Sequence, residues 1–395
     1  MMMNSSKEIL DWTKKEREYP ETLLLSMLNL YSPSGSEDQI ASLLESELKR
    51  NGLQTRRDAA GNVIGEIGKG RPRILLCGHM DTVPGMLPVK VDDDHVYGRG
   101  AVDAKSSLAS MIVACVQAVK DEEASFHATL IGVVEEETST KGIQQVISDH
   151  QPYDLGVFGE PSGSRNVTIG YKGHLRARLT CSTKGGHSAS PWISRNSFDE
   201  AINLWKKLES SCFTNDEASK FNALTGSVTK MTAGDDTNTI PSSAQLEVDA
   251  RIPPGLTLEA VEQKIMNVCK GVQENTHGEL VVSPSFGNRC PAFLGNNDST
   301  IVRAFRTAIR ETTGQQATLV KKTGTSDMNL LAEKYNIPMV AYGPGNSALD
   351  HTDNEHVSIP EYLESIRVTT MAIRNMARLY TNSSFETATP LQHRV

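Results

Sequence analysis

His79 and Asp81 follow the apolar run Ile74-Leu75-Leu76-Cys77-Gly78 and form the first pair in the chain able to hold or orient a metal. Four apolar residues ending in glycine read as a buried strand whose tip emerges at a loop. Residues i and i+2 of an extended segment point the same way, so both side chains project from that tip. An imidazole beside a carboxylate can ligate a cation, or one group can ligate while the other orients it. Taken alone the pair is a weak signal, because short His-x-Asp strings also arise as ordinary hydrogen-bonded pairs at strand ends.

The same chemistry recurs downstream. Asp103, in Gly98-Arg99-Gly100-Ala101-Val102-Asp103-Ala104-Lys105, precedes a helix expected from about Ser106 to Lys120. By residue type alone it is a helix N-cap. A second apolar run, Ala128–Val134, ends in Glu135-Glu136-Glu137-Thr138. Three adjacent carboxylates usually mark a solvated turn, but at the end of a buried strand their repulsion calls for a cation. Leu155-Gly156-Val157-Phe158 then leads into Gly159-Glu160-Pro161. Pro338-Met339-Val340-Ala341-Tyr342 leads into Gly343-Pro344-Gly345-Asn346, with His351 and Asn354-Glu355 beyond. On this reading five apolar strands each end in a potential ligand, and open α/β sheets bind ligands beyond the carboxyl ends of their strands. Jointly they predict a metal site.

These residues resemble the zinc metallopeptidase family that includes acetylornithine deacetylase, succinyl-diaminopimelate desuccinylase and glutamate carboxypeptidase. The likeness runs in order from Ser32-Pro33-Ser34-Gly35 to the helix after Ile359-Pro360. It implies two zinc ions per chain, with cobalt also possible. His79 and Glu160 would hold one ion, Glu137 and His351 the other, and Asp103 would bridge them. Asp81 matches the residue that orients the ligand His79, and Glu136 matches the general base.

Three segments narrow the resemblance: Gly100-Ala101-Val102-Asp103-Ala104-Lys105, Glu135–Gly142 and Lys322–Asn329. They are similar to hydrolases that release lysine or ornithine from the C-terminal glutamate of a small amino-group carrier protein. That implies a place in lysine or arginine biosynthesis and a carrier protein as partner. The same machinery would serve N-acetylornithine or N-acetyl-lysine deacetylation, desuccinylation or dipeptide hydrolysis. From another class, the chain could be a catalytically inactive binding protein on this fold, although a full set of ligands and base argues against decay.

Amide hydrolysis at neutral pH needs a strong nucleophile, a proton shuttle and something to take up charge on the carbonyl oxygen. Two zinc ions roughly 3.5–4 Å apart can acidify a shared water and polarise the carbonyl. Nitrogen and oxygen donors without thiolate suit zinc, with cobalt or manganese acceptable. A carboxylate beside the ligands, Glu136, can pass the water's proton to the leaving nitrogen.

Further candidates lie between the two halves of this pattern. His187, in Gly185-Gly186-His187-Ser188, is by residue type a surface histidine in a glycine loop. The resemblance implies instead that it reaches across a homodimer to the partner's site as an oxyanion donor. Asn238, in Asn238-Thr239-Ile240-Pro241, reads locally as a turn residue and by resemblance as a substrate contact. Arg251 shares a strand's polar face with Asp249; an i, i+2 ion pair is the local reading. A fork for the substrate's α-carboxylate is the functional one. Gly324 and Thr325 would line the pocket. His95, His127, His150, His174, His277, His356 and His393 show no partner pattern and read as structural or solvated.

These residues require a scaffold of strands and helices. With 395 residues the chain is long enough for two domains. Ser36 and Gln39 resemble a capping box, and Ile40, Leu43, Leu44 and Leu48 then form one helical face ending at Gly52. Strands and helices alternate as far as about Pro161, predicting an α/β layer with largely parallel strands. After Gly170-Tyr171-Lys172-Gly173, Leu175, Ala177, Leu179 and Cys181 alternate with polar residues, as in a strand with one wet face. A helix near Phe198–Leu208, strands near Ala223–Met231 and Ala244–Ile252, a helix Leu258–Cys269 and a strand Glu279–Val282 complete a βαββαβ order. The expectation is a catalytic domain over 1–172 and 292–381, an inserted ferredoxin-like lid and dimerisation domain over 173–291, and a mobile tail over 382–395.

Composition narrows the partners. The net charge of −8 argues against nucleic acid or an anionic membrane as a general partner. No apolar run approaches the roughly 20 residues needed to span a bilayer. The N-terminal stretch Met1–Glu16 has no apolar signal-peptide core. Six cysteines are scattered without CxxC pairs, and Cys77 and Cys115 read as buried small hydrophobes. A cytoplasmic protein is expected.

Overall fold

A computed structural model describes residues 12–120, 125–214, 220–234 and 237–382. The stretch 1–11 and the expected mobile tail beyond Asn382 lie outside the described residues. Two compact units divide the chain. One comprises 1–169, 295–320 and 330–395; the other comprises 170–294 and 321–329.

The first unit is built on a mixed sheet. Its centre is four parallel strands in the order Phe126–Val133, Arg73–His79, Leu155–Phe158 and Met339–Ala341. These strands are buried almost throughout, as parallel strands covered on both faces must be. The flanking strands are antiparallel: Val63–Lys69 pairs with Phe126–Val133, Gln54–Arg57 lies outside it, and Asn166–Tyr171 pairs beyond Met339–Ala341. Helices Lys14–Leu28, Lys105–Ala118, Thr300–Thr313 and Ile359–Asn382 pack on one another around a core that includes Leu108, Ile112, Phe305 and Ile373.

Glycines at the strand tips let helix Lys105–Ala118 approach closely. A Cβ on Gly159 would stand 2.5 Å from Met111 Cε, and one on Gly343 would overlap Ser107. A small antiparallel sheet of Lys90–Asp92, His95–Tyr97 and His356–Ser358 adjoins the loops that follow the main sheet.

One local expectation fails. Helix Asp38–Arg50 starts after Glu37, and no side-chain cap is formed, so Ser36 and Gln39 make no capping box. The Glu37 carboxylate turns away from the helix and accepts the Gly35 and Glu135 amides at 2.9 and 3.1 Å.

The second unit is a four-stranded antiparallel sheet in the order Thr225–Ala233, Ser243–Ile252, Gly173–Ser182, Val281–Cys290. Helices Ser197–Cys212 and Leu258–Glu274 pack on it. Numbered in chain order the strands lie 2-3-1-4, the arrangement a βαββαβ order gives in a ferredoxin-like unit. Gly173–Ser182 alternates strictly between buried and wet residues, and Leu175, Ala177, Leu179 and Cys181 supply the core side. Segment 321–329, read from sequence as part of the catalytic domain, belongs to this unit. Asn329 ties it in by donating to the carbonyls of Lys172 and Pro291 at 3.1 and 2.8 Å. Among the described residues no helix is long and apolar enough to cross a membrane.

Candidate metal centre

Parallel strands that end at one edge place their following residues together. Cys77 pairs with Phe158 and His79 with Val133. His79 and Glu160 each stand two residues past that first pair, so they sit at the same level of adjacent strands. Glu136 and Glu137 follow just beyond the end of the other neighbour. Asp103 differs from the expected pattern, because it follows no strand of the main sheet. It lies in the loop before helix Lys105–Ala118, whose N-cap position is Ala104 with no side-chain cap. Four strand ends and one helix approach therefore supply the candidates, not five strands.

The geometry is tight. His79 Nε2 lies 3.1 Å from Asp103 Oδ1, and His351 Nε2 lies 3.2 Å from Asp103 Oδ2 and 3.1 Å from Glu137 Oε1. Donor atoms of His79, Asp103 and Glu137 all fall within 4.8 Å of one another. Asp103 thus turns one oxygen to each imidazole, the disposition a carboxylate needs to bridge two cations. The donors are all nitrogen and oxygen, a set that fits zinc, cobalt or manganese.

Asp81 is fully buried beneath this cluster. Its carbonyl accepts from His79 Nδ1 at 3.0 Å, with the carboxylate 3.4 Å from the same nitrogen. A proton held on Nδ1 leaves Nε2 facing the cluster. The Asp81 carboxylate also accepts Ser34 Oγ at 2.7 Å and the amides of Glu136 and Glu137 at 3.2 Å each. One side chain therefore orients both the imidazole and the glutamate turn. Glu135 and His351 adopt left-handed backbone, φ 55° and 62°, which costs on the order of 1–3 kcal/mol each for residues other than glycine. The Glu37 carboxylate on the Glu135 amide holds the first of these in place.

Electrostatics within the cluster are strong. Burial would lower the His79 pKa, but bonds to Asp103 and Asp81 outweigh it and raise His79 well above its ordinary value. Bonds to Asp103 and Glu137 push His351 up to about 10. Burial opposes ionisation of Asp103, yet the bonds from His351 and His79 hold it below the usual carboxylate range. Imidazole–carboxylate attraction gathers these donors as cations do in a metal site.

The second unit brings His187 and Asn238 together. Gly186–His187 pairs with Thr239–Ile240, and the Ser188 amide donates to the Asn238 carbonyl at 3.1 Å. His187 is exposed, and the Ala189 amide donates to its Nδ1 at 3.0 Å. Arg251 forms the ion pair its spacing predicted: Nε and Nη2 reach the two Asp249 oxygens at 2.8 and 3.4 Å. His174, which looked partnerless in the sequence, takes the same carboxylate at 2.8 Å. The ladder that sets His174 opposite Arg251 creates this contact. Gly324 and Thr325 lie between strand Thr318–Lys322 and helix Asp327–Lys334.

A mixed sheet with an imidazole–carboxylate cluster at its strand ends is a frame able to hold metal ions. The chain belongs to peptidase family M20/M25/M40, whose pattern matches residues 75–375. It is 34% identical over 361 residues to the LysW-lysine hydrolase of Deinococcus radiodurans, covering 90% of this chain and 96% of that protein. Among solved structures it is similar to a tripeptidase of Staphylococcus aureus, with TM-score 0.80 and 20% identity over 92% of this chain and 99% of that one. It is also similar to a dinuclear metal binding peptidase of the family from Bacillus subtilis, with TM-score 0.70 and 18% identity over 91% and 98%.

Proposed function

We propose that the protein is a two-cation amidohydrolase that releases lysine, ornithine or both from the C-terminal glutamate of an amino-group carrier protein. The observation that carries this reading is the division of the two Asp103 oxygens between His79 and His351. The substrate rests on the 34% identity to a LysW-lysine hydrolase across nearly the whole of both chains.

In this reading His79 and Glu160 would hold one ion, Glu137 and His351 the other, and Asp103 would serve both. Zinc is the expected metal, with cobalt as an alternative. When bound, the pair supplies Lewis acidity to the scissile carbonyl and a water acidic enough to attack at neutral pH. Glu136 accepts that water's proton and delivers it to the leaving nitrogen. The amide on His187 Nδ1 leaves its proton on Nε2, a donor suited to a developing oxyanion. That histidine would act in the partner's site of a homodimer formed through the inserted domain.

Arg251, steadied by Asp249, keeps further guanidinium N–H groups for a free α-carboxylate. Asn238 would add a polar contact, with Gly324 and Thr325 in the pocket wall. A carrier adds contacts remote from the scissile bond, and such binding energy can lower the barrier. The setting would be the cytoplasm, in lysine or arginine biosynthesis.

The test offers carrier-linked lysine, carrier-linked ornithine, N-acetyl-lysine and N-acetylornithine side by side to the metal-loaded protein. A carrier conjugate should give the highest kcat/KM. A higher value for free N-acetylornithine would make the protein a deacetylase, and no turnover of any would leave desuccinylation, dipeptide hydrolysis or the inactive binding protein.

A further inference from the structure

We propose that Glu355 is a positioning residue for the metal centre, locking the loop that carries Asp103 to the loop that carries His351. The proposal rests on the two-cation reading above. Both loops leave the small antiparallel sheet at one point. His356 pairs with Tyr97, and one step further the Gly98 amide donates to the Glu355 carbonyl at 3.2 Å. From there one strand's chain runs on to Asp103, while the other's arrives from His351.

The Glu355 side chain closes the gap between them. It is 1% exposed, and its Oε1 accepts the backbone amides of Val102 and Asp103 at 2.9 and 3.1 Å. Its Oε2 takes Arg99 Nη1 at 2.8 Å. Arg99 is itself 7% exposed, and its remaining bonds go to the carbonyls of Thr352 at 3.2 Å and Gly85 at 3.0 Å. One buried ion pair thus grips the backbone of the bridging carboxylate and, through Thr352, the residue next to His351.

Stability alone is a poor reason for such a pair. Apolar residues of similar volume often replace a buried ion pair at no cost, because desolvation consumes the Coulombic gain. What apolar residues would not supply is the acceptor for the Asp103 amide. Asp103 must present one oxygen on each side, so a small shift of its backbone misaligns both. Groups that orient metal ligands from behind typically govern metal affinity by about 10–100-fold.

The experiment uses the full-length protein with zinc and cobalt as probes. Glu355→Gln removes the negative charge that faces Arg99, and its weaker metal site should fall in affinity by about 10–100-fold. The visible absorption of the cobalt form should shift, and excess metal should restore kcat. Because this variant leaves Arg99 buried without its counter-charge, the double variant Arg99→Met/Glu355→Leu is measured beside it. Packing then recovers the melting temperature, while affinity and cobalt spectrum stay altered. Parental affinity and spectrum in the folded double variant, which lacks the acceptor, would overturn the proposal. Parent protein that binds no divalent cation would instead sink the two-cation reading, which is a separate outcome.

Discussion

In the first unit His79, Asp103, Glu137 and His351 are bonded to one another; in the second, His187 accepts a neighbouring amide and Arg251 is engaged by Asp249 on its own strand. The first set is held by groups behind it, Asp81 and Glu355, whose carboxylates are buried and fully committed to donors. The second set is more open, with His187 exposed and the Arg251 side chain 34% accessible. Side chains bonded to one another in this way bring their donor atoms within 4.8 Å. Donors that keep solvent-accessible surface remain able to meet a substrate or a second subunit. On the proposed function, the contrast separates making a reactive centre from selecting what it acts on.

The sharpest break in that comparison comes from adjacent glutamates. Glu136→Gln should keep its metal and lose activity by about 10²–10⁴-fold, the worth of a positioned acid–base group. Glu137→Gln should lose metal instead. Metal analysis beside kcat decides it, and the opposite pattern would mean that the two roles are exchanged.

Next in size is the effect of the second unit. Inactive His187→Ala and inactive Glu136→Gln proteins, mixed under conditions of subunit exchange, should regain part of the activity. A mixed dimer would own one site with intact Glu136 from one chain and intact His187 from the other. No recovery despite proven exchange would place His187 in its own chain's site or outside catalysis.

The smallest expected effect is on pH dependence. His351 is raised from 6.5 to about 10 by its carboxylate partners. In metal-free protein its bonds therefore contribute stability that is fully present below about pH 6.5 and lost as the pH rises through about 10. The side chain is half exposed, so solvent screens much of this. Cation binding displaces the same proton, so metal affinity should climb as the pH rises towards about 10. Melting curves with and without zinc at several pH values measure both trends. An unchanged slope in His351→Ala would remove His351 as their source.

Much of the site was legible because its residues follow apolar runs, and parallel strands deliver their ends to one edge. The positions of His79, Glu137 and Glu160 at or just past their strand ends could be read that way. Asp103 was ambiguous, since a carboxylate before a helix resembles an N-cap; its two imidazole partners, not the helix, engage it. Glu355 stood in plain view beside Asn354, but its partners Arg99, Val102 and Asp103 lie more than 250 positions away in the chain. Glu37 was obscured by an apparent capping box, and His174 by the need to know which strand faces it. In each case the missing information was a long-range pairing that local periodicity does not carry.

The central claim is a pair of cations bridged by Asp103. Elemental analysis of purified protein should find about two zinc-like ions per chain, as a co-catalytic centre requires. Asp103→Ala, folded but deprived of the bridge, should fail to retain both. An Asp103→Ala protein that still held two ions with parental affinity would contradict the account.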